Sequence, residues 1–156
     1  MASTPDFERV LPLLDDLNRP FWTGGDSGHL TVMQCQACTF LIHPPLPICP
    51  RCRARFPKPH ALSGKGTVKT FTHNFQPWFP GLAVPYTVAI VELIEQPGLQ
   101  LTSNIIHCAM EQVSIGMEVQ VTFERHEDVW LPLFEPDLSS RPAPPAGATT
   151  AGKPRI

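Results

Sequence analysis

Cys35-Gln-Ala-Cys38 and Cys49-Pro-Arg-Cys52 are two C-x-x-C pairs joined by a short segment, Thr39 to Ile48. A tetrahedral metal ion needs four soft ligands on two tight turns, and two facing C-x-x-C pairs supply them. We therefore predict a closed four-cysteine site that holds zinc. Iron is accepted by the same geometry, and two disulfides or four unrelated thiols are the alternatives. Because four thiolates leave no position for water, the metal is predicted to be structural.

The composition limits the classes of partner. The chain has 156 residues, of which 42% are hydrophobic and 17% are charged, and its formal net charge is −2. Nucleic-acid binding rests on clustered Lys and Arg, so this balance disfavours a nucleic-acid partner. The sequence shows no apolar run of membrane-spanning length and no N-terminal basic region followed by a hydrophobic stretch. A cytoplasmic protein without a membrane partner is expected, and a reducing compartment favours metal binding over disulfides.

The segment 1–28 is predicted to be helical, with one short helix over 6–17, bent at its proline, and another over 18–22. Phe21 and Trp22 stand at the end of the second helix and are candidates for contact with a ligand or partner. These helices have little sequence of their own on which to pack. Their apolar face is therefore expected to cover another protein, with packing on this chain as the alternative.

The rest of the chain predicts a mainly β fold. The segment 29–60 is the predicted metal ribbon, and 61–137 is a predicted all-β domain in which five stretches carry strand patterns. Five strands without a convincing helix between them suit a small closed barrel, and the five-stranded OB-fold fits this count best. The segment 138–156 is rich in Pro, Ala, Gly, Ser and Thr and is predicted to be a disordered tail. The five predicted strands are 66–74, 84–93, 99–105, 117–124 and 129–134.

Three aromatic residues lie close together between the first two predicted barrel strands: Phe75, Trp78 and Phe79. OB-folds usually bind ligands in their loops, and exposed aromatic residues mark contact surfaces. We therefore predict that these residues contact a ligand or partner. The alternative is that Trp78 and Phe79 fold back and close the end of the barrel. His73, on the preceding strand, is a further candidate for ligand contact, although a satisfied or exposed histidine is the simpler expectation.

The order of the motifs along the chain is more specific than any one of them. The motifs are, in order, Phe21-Trp22, Gly28-His29-Leu30, the two C-x-x-C pairs, Ser63-Gly64-Lys65-Gly66-Thr67-Val68, the strand 84–93 and Ile115-Gly116-Met117-Glu118-Val119. With its motifs in this order the chain resembles the acyl-CoA-associated OB-fold family with an N-terminal rubredoxin-like zinc ribbon, and the resemblance extends from residue 18 to 136. One departure is visible, since the family usually has glycine after the second cysteine where this chain has Thr39.

The resemblance implies a non-catalytic accessory subunit that binds a thiolase-superfamily enzyme in a hetero-oligomer. The implied partner is a lipid-transfer-protein-like aldolase or a thiolase, and the implied substrate of the complex is an acyl-CoA from steroid side-chain or fatty acyl degradation. A nucleic-acid-binding zinc ribbon and OB module is the alternative of a different class. A small acyl-CoA enzyme is a third hypothesis, which nothing in the sequence predicts.

The remaining polar motifs are interpreted as structural. Ser63-Gly64-Lys65-Gly66 leads into a strand instead of a helix, which predicts a tight turn in which Lys65 is a candidate contact for a CoA phosphate. Cys108 follows His107, but neighbouring strand residues point to opposite faces, so an inert, buried cysteine is expected. His43 is expected at the ribbon surface, since four cysteines already complete the site. No catalytic residue is predicted.

Overall fold

The computed structural model describes residues 10–140. Within this range the fold is mainly β, with eight strands, one short α-helix and three short 3-10 turns. No helix in the described part of the chain is long and apolar enough to cross a membrane. The elements are α1 (Arg19–Thr23), β1 (Leu30–Gln34), β2 (Leu41–Ile42), β3 (Lys58–Leu62), β4 (Lys65–Asn74), β5 (Tyr86–Leu93), β6 (Gln100–Ile105), β7 (Glu118–His126) and β8 (Val129–Pro136).

The first three strands form the ribbon sheet, in the order β2-β1-β3. β1 is antiparallel to both neighbours, with Met33 opposite Ile42 and Leu30 opposite Leu62. β1 leads directly into the first cysteine pair, since Cys35 follows its last residue, Gln34. The sequence did not predict β3, because only Leu62 of its five side chains is buried and the strand carries a proline.

The last five strands form a closed barrel in the order β4-β5-β6-β8-β7, and β7 pairs with β4 to close it. All of these pairs are antiparallel except β6 and β8, which pair in parallel through Ile105 and Phe134. This is the strand arrangement of an OB-fold, so the predicted five-stranded barrel is confirmed. A 3-10 turn at Met110–Gln112 is the helical element between β6 and β7.

The ribbon and the barrel share the larger of two hydrophobic clusters, and the smaller one (Met33, Cys35, Ile42 and Cys49) lies within the ribbon. Gln96, in the β5–β6 hairpin, joins them further: the Leu41 N–H donates to Gln96 Oε1 at 2.8 Å, and Gln96 Nε2 donates to the Leu41 carbonyl at 3.0 Å. The metal ribbon is therefore fixed on the barrel by packing and by paired amide bonds. The buried side chains of this core include Phe21, Leu30, Val32, Leu41 and Leu62 from the N-terminal half and Val68, Val91, Leu93, Leu101, Val119 and Phe134 from the barrel.

The predicted helix over 6–17 is wrong for its described part, residues 10–17, which are not helical. Residues 6–9 lie outside the described residues. The Asp15 N–H donates to Asn18 Oδ1 at 2.9 Å, and the Asn18 N–H donates to Asp15 Oδ1 at 2.7 Å. These side chains offer the backbone an alternative to helical hydrogen bonds. The second predicted helix, over 18–22, is confirmed as α1.

The predicted disordered tail, 138–156, falls mostly outside the described residues. Its first three residues form a 3-10 turn, Leu138–Ser140. Disorder of the tail stays a prediction.

Candidate metal centre and contact surfaces

The two C-x-x-C pairs bring four thiols together beside the ribbon sheet. The Sγ atoms of Cys35 and Cys52 are 3.5 Å apart, those of Cys38 and Cys49 are 3.7 Å apart, and all four lie within 4.8 Å of one another. A tetrahedral ion with metal–sulfur bonds of about 2.3 Å separates its ligands by about 3.8 Å, whereas a disulfide bond measures about 2.05 Å. The arrangement therefore fits four ligands of one metal ion and does not fit two disulfides.

Each cysteine pair sits in the same backbone turn. The Thr39 N–H donates to the Cys35 carbonyl, and the Arg53 N–H donates to the Cys49 carbonyl, both at 3.0 Å. Thr39 has a φ of +58° and Arg53 a φ of +66°. This is the left-handed region, which glycine adopts most easily. The turn therefore explains why glycine suits the position of Thr39, and shows that this chain forms the turn without it.

Hydrogen bonds and burial give Cys35 and Cys38, the first cysteine pair, different pKa values. The backbone N–H groups of Cys38 and Ala37 lower the pKa of Cys35 to about 6, which favours a thiolate at neutral pH. The Phe40 N–H lowers the pKa of Cys38, but burial and the three neighbouring sulfurs raise it to about 12 overall. Four adjacent thiolates repel one another, so a bound cation is what makes all four stable together.

The four cysteines differ in burial. Cys35 and Cys49 are buried, Cys38 is half-buried and Cys52 is exposed. A metal ion held by all four sulfurs would cross-link the turn after β1 to the turn at residues 49–53. Because every ligand position is then filled by sulfur, the ion would stabilise the fold and would not take part in a reaction.

Helix α1 packs between the ribbon and the barrel. Phe21 is buried, with its ring centroid 4.7 Å from that of His43 and 4.8 Å from that of Trp22. The expectation that this helix covers another protein is therefore corrected for Phe21, which packs on its own chain. Trp22 is half-buried and lines a cleft of about 550 Å³, which we call the junction cleft.

His43 is not the surface residue that the sequence suggested. Its Nδ1 atom is buried and has no hydrogen-bond partner, and burial lowers its pKa. The ring of Phe21 lies against the imidazole, with the ring centroids 4.7 Å apart. Sequence reasoning missed this residue, since the contact joins two positions that no pattern relates.

The aromatic loop after β4 presents its side chains to the outside. Phe75, Trp78 and Phe79 are 67%, 66% and 59% exposed, so the alternative in which they close the barrel end is wrong. Trp78 Nε1 donates to Asn74 Oδ1 at 2.9 Å, and Asn74 Nδ2 donates to the Gln76 carbonyl at 2.6 Å. These bonds fix the orientation of the loop. Trp78 and Phe79 line a second cleft, of about 620 Å³, which we call the loop cleft.

Lys65 occupies the predicted tight turn, where Gly64 has a φ of +76°. The Lys65 ammonium lies 3.0 Å from Asp137 Oδ2 and 3.4 Å from Ser139 Oγ. Hydrogen bonds from Ser139 and from Lys65 lower the pKa of Asp137 to about 2. A phosphate at Lys65 would have to compete with this carboxylate, and contact with CoA stays a prediction.

The histidines and the fifth cysteine do not assemble a reactive pair. His73 Nδ1 is hydrogen-bonded to Thr87 Oγ1 at 2.9 Å, which satisfies the ring within the barrel. His107 Nδ1 contacts Glu135 Oε2 at 2.5 Å, whereas the Cys108 thiol donates to the Ala109 carbonyl at 3.3 Å. Both residues follow β6 instead of belonging to it, and Cys108 is half-buried. Burial raises the pKa of the Cys108 thiol.

Comparison with known proteins agrees with this architecture. The model of the ChsH2 rubredoxin-like zinc ribbon domain matches residues 22–57, and that of the ChsH2 C-terminal OB-fold domain matches residues 59–124. A DUF35 domain-containing scaffold protein of Methanothermobacter thermautotrophicus is 36% identical over 100 residues, which cover 62% of this chain and 73% of the relative.

Two longer relatives are also similar. A probable enoyl-CoA hydratase alpha subunit of Thermomonospora curvata is 32% identical over 133 residues, which cover 85% of this chain and 41% of the relative. The 3-oxo-4,17-pregnadiene-20-carboxyl-CoA hydratase alpha subunit of Mycobacterium tuberculosis is 32% identical over 117 residues, which cover 75% of this chain and 37% of the relative. This chain thus spans less than half the length of these two relatives.

One solved structure is similar to this chain over almost the whole length of the solved chain. A chain of the Ltp2-ChsH2(DUF35) aldolase superposes with a TM-score of 0.72 at 31% sequence identity. The match covers 81% of this chain and 98% of that chain.

Proposed function

This chain belongs to the DUF35 family, in which a ChsH2-type rubredoxin-like zinc ribbon precedes an OB-fold, and from this membership we propose a non-catalytic accessory subunit of an acyl-CoA enzyme. The partner is a thiolase-superfamily enzyme, either a lipid-transfer-protein-like aldolase or a thiolase. The match over 98% of a chain that belongs to an aldolase complex is the observation that carries this proposal. The substrate is an acyl-CoA of steroid side-chain or fatty acyl degradation, which the name of the M. tuberculosis relative supports.

The aromatic loop after β4 is the proposed contact surface. Its three aromatic side chains are exposed, and the Trp78–Asn74 hydrogen bond holds the loop in one orientation. A preorganised aromatic surface binds with a smaller loss of conformational entropy than a mobile one, and aromatic residues are enriched in interface cores. Trp78 and Phe79 would therefore carry most of the binding free energy, as buried aromatic anchors generally do.

The ribbon supports this role by fixing the shape of the chain. Zinc is the metal we propose for the four cysteines, because it favours closed tetrahedral thiolate sites. When bound, it cross-links the two cysteine turns and supplies no reactive position. The accessory subunit would act by holding the active-site elements or the substrate channel of its partner in a productive geometry. The reacting groups would come from the partner.

Co-purification from the host organism tests the proposal. The tagged full-length chain should retain a stoichiometric thiolase-superfamily subunit, identified by mass spectrometry. Trp78→Ser combined with Phe79→Ser should reduce the retained partner at least tenfold, since loss of two aromatic anchors costs more than about 1.4 kcal/mol. Ile115→Ser is the matched control, because Ile115 is also an exposed apolar residue, 70% accessible, outside the aromatic loop.

Two results would contradict the accessory role. The first is recovery of the chain without any acyl-CoA enzyme. The second is recovery of nucleic acid with a binding affinity that falls steeply as salt increases, which is the behaviour of the alternative ribbon and OB module.

A further inference from the structure

The junction cleft and the loop cleft lie side by side on the barrel. The first is lined by Trp22 and His43, the second by Trp78, and both are lined by Asn104 and Leu133. We call the two clefts together the barrel groove. Each cleft has a volume, about 550 and 620 Å³, in the range of sites that hold small molecules.

The strand arrangement explains why a groove forms at this place. β6 and β8 pair in parallel at one position, Ile105 with Phe134, while every other strand pair of the barrel makes a longer ladder. Beside this short ladder, Ser103 Oγ donates to the carbonyl of Pro132, a residue that has no N–H to extend the pairing. The groove runs along this seam, with residues 101–104 of β6 and 131–133 of β8 in its walls.

The barrel groove is lined by acidic but not by cationic side chains. Its lining includes one carboxylate in each cleft, Asp15 in the junction cleft and Glu124 in the loop cleft, and neither lysine nor arginine. The rest of the lining is mostly aliphatic, aromatic and proline. A buried anion without a cationic partner is costly, so such a groove favours a neutral, mostly apolar molecule over a carboxylate or phosphate.

His43 supplies one hydrogen-bond donor to this groove. Its Nδ1 is buried without a partner. A buried N–H without an acceptor costs more than a buried lone pair, which assigns the ring proton to Nε2. Burial lowers the pKa of this imidazole, which keeps it neutral at physiological pH. Because His43 lines the junction cleft, its Nε2–H is available to an acceptor on a bound molecule.

We propose that the barrel groove binds a neutral, mostly apolar carbonyl compound whose oxygen accepts a hydrogen bond from His43 Nε2. Its apolar body extends along the β6–β8 seam from Trp22 towards Trp78. The biological role of this binding site rests on the proposed function. In the complex with the partner enzyme, this chain would hold the apolar part of the substrate. The phosphates of CoA would remain outside the groove. The chemistry of the site fits a free ketone and the carbonyl of an acyl thioester equally.

Nuclear magnetic resonance of the three tryptophans tests the proposal on the full-length, metal-loaded chain. Titration with 2-undecanone should shift the indole N–H signals of Trp22 and Trp78 saturably. The signal of Trp130 should stay in place, because Trp130 lines neither cleft. Undecanoate, which has a similar chain but carries a charge, should bind at least about tenfold more weakly, since a lost or unfavourable charge interaction of about 1.4 kcal/mol has this effect.

Two variants locate the hydrogen bond. His43→Phe keeps an aromatic ring against Phe21 and removes the donor, so its affinity for 2-undecanone should fall about fivefold, the effect of one neutral hydrogen bond. Ile115→Ser lies outside the groove and should bind like the unsubstituted chain. Decanoyl-CoA distinguishes the source of the carbonyl. Shifts at Trp22 and Trp78 with this ester would assign a thioester, and shifts with the ketone alone would assign a free ketone.

The proposal is overturned if Trp22 and Trp78 show no saturable shift up to the solubility of the ketone. It is also overturned if undecanoate binds as well as the ketone, or if His43→Phe binds the ketone unchanged. Each of these results leaves the accessory role intact, because that role is measured by co-purification of a partner enzyme.

Discussion

Replacing Thr39 by glycine is expected to stabilise the metal-loaded chain. Thr39 has a φ of +58° in the first cysteine turn, and its side chain is exposed, so its removal leaves no cavity. A residue with a Cβ atom loses roughly 1–2 kcal/mol in the left-handed region, whereas glycine loses about 0.5–1 kcal/mol more through conformational entropy. The net gain is therefore about 0.5–1 kcal/mol. At roughly 1.5 kcal/mol per molar urea, the unfolding midpoint should rise by about 0.3–0.7 M.

Urea unfolding at a fixed free metal concentration measures this gain. Thr39→Ala is the matched control, since it removes the hydroxyl and the branch but keeps the Cβ atom that is strained. Alanine should therefore recover much less stability than glycine. The reasoning is refuted if Thr39→Gly is no more stable than Thr39→Ala. In that case the Cβ atom costs no more in this turn than the conformational entropy that glycine loses. The hydrogen bond from Thr39 Oγ1 to the Cys38 carbonyl, at 2.7 Å, is lost in both variants and does not enter this comparison.

Three further substitutions test other parts of the structure. Cys52→Ser should weaken zinc binding at least about a hundredfold, because it removes one of four thiolates. Competition with a chelator measures this loss, and an unchanged zinc affinity would exclude the four-sulfur site. Gly25→Ala should lower the free energy of unfolding by about 1–3 kcal/mol, because a Cβ there would lie 2.5 Å from Trp130 Cβ; a neutral effect would show that this contact relaxes easily. The pKa of Asp137 is lowered from 3.8 to about 2, so its carboxylate stabilises the fold fully above 3.8 and this stabilisation is lost as the pH falls through 2. Asp137→Asn should thus be less stable than the unsubstituted chain at pH 7 in thermal unfolding, and the difference should narrow as the pH falls from 4 to 2. A difference that stays the same over this pH range would contradict the assignment.

The barrel strands could be predicted because their side chains alternate. In β7, Val119 faces the core while Glu118 faces outward, and the period of two is visible in the sequence. The cysteine site could be predicted for a similar reason, since the C-x-x-C spacing itself defines the turn. Both features depend on residues that are close together in the chain.

The features that the sequence did not predict are not marked by any side-chain pattern in the chain. β3 is held by pairing with β1, and four of its five side chains are exposed, so it has no pattern of its own. The N-terminal segment fails as a helix because Asp15 and Asn18 bond to each other's backbone, while Val10 and Leu13 are 98% and 93% exposed. No local sequence pattern predicts whether the backbone forms helical hydrogen bonds or bonds to these side chains.

The paired bonds between Gln96 and Leu41 affect how parts of such proteins could be exchanged. Gln96 stands in a barrel hairpin and recognises the backbone of Leu41, which is fixed by the ribbon sheet. A chimera that joins the ribbon of one family member to the barrel of another would need the matching amide at this hairpin. It would also need compatible shapes on both sides of the common core. The interface between ribbon and barrel in this chain therefore sets two conditions for such an exchange, one of hydrogen bonding and one of shape.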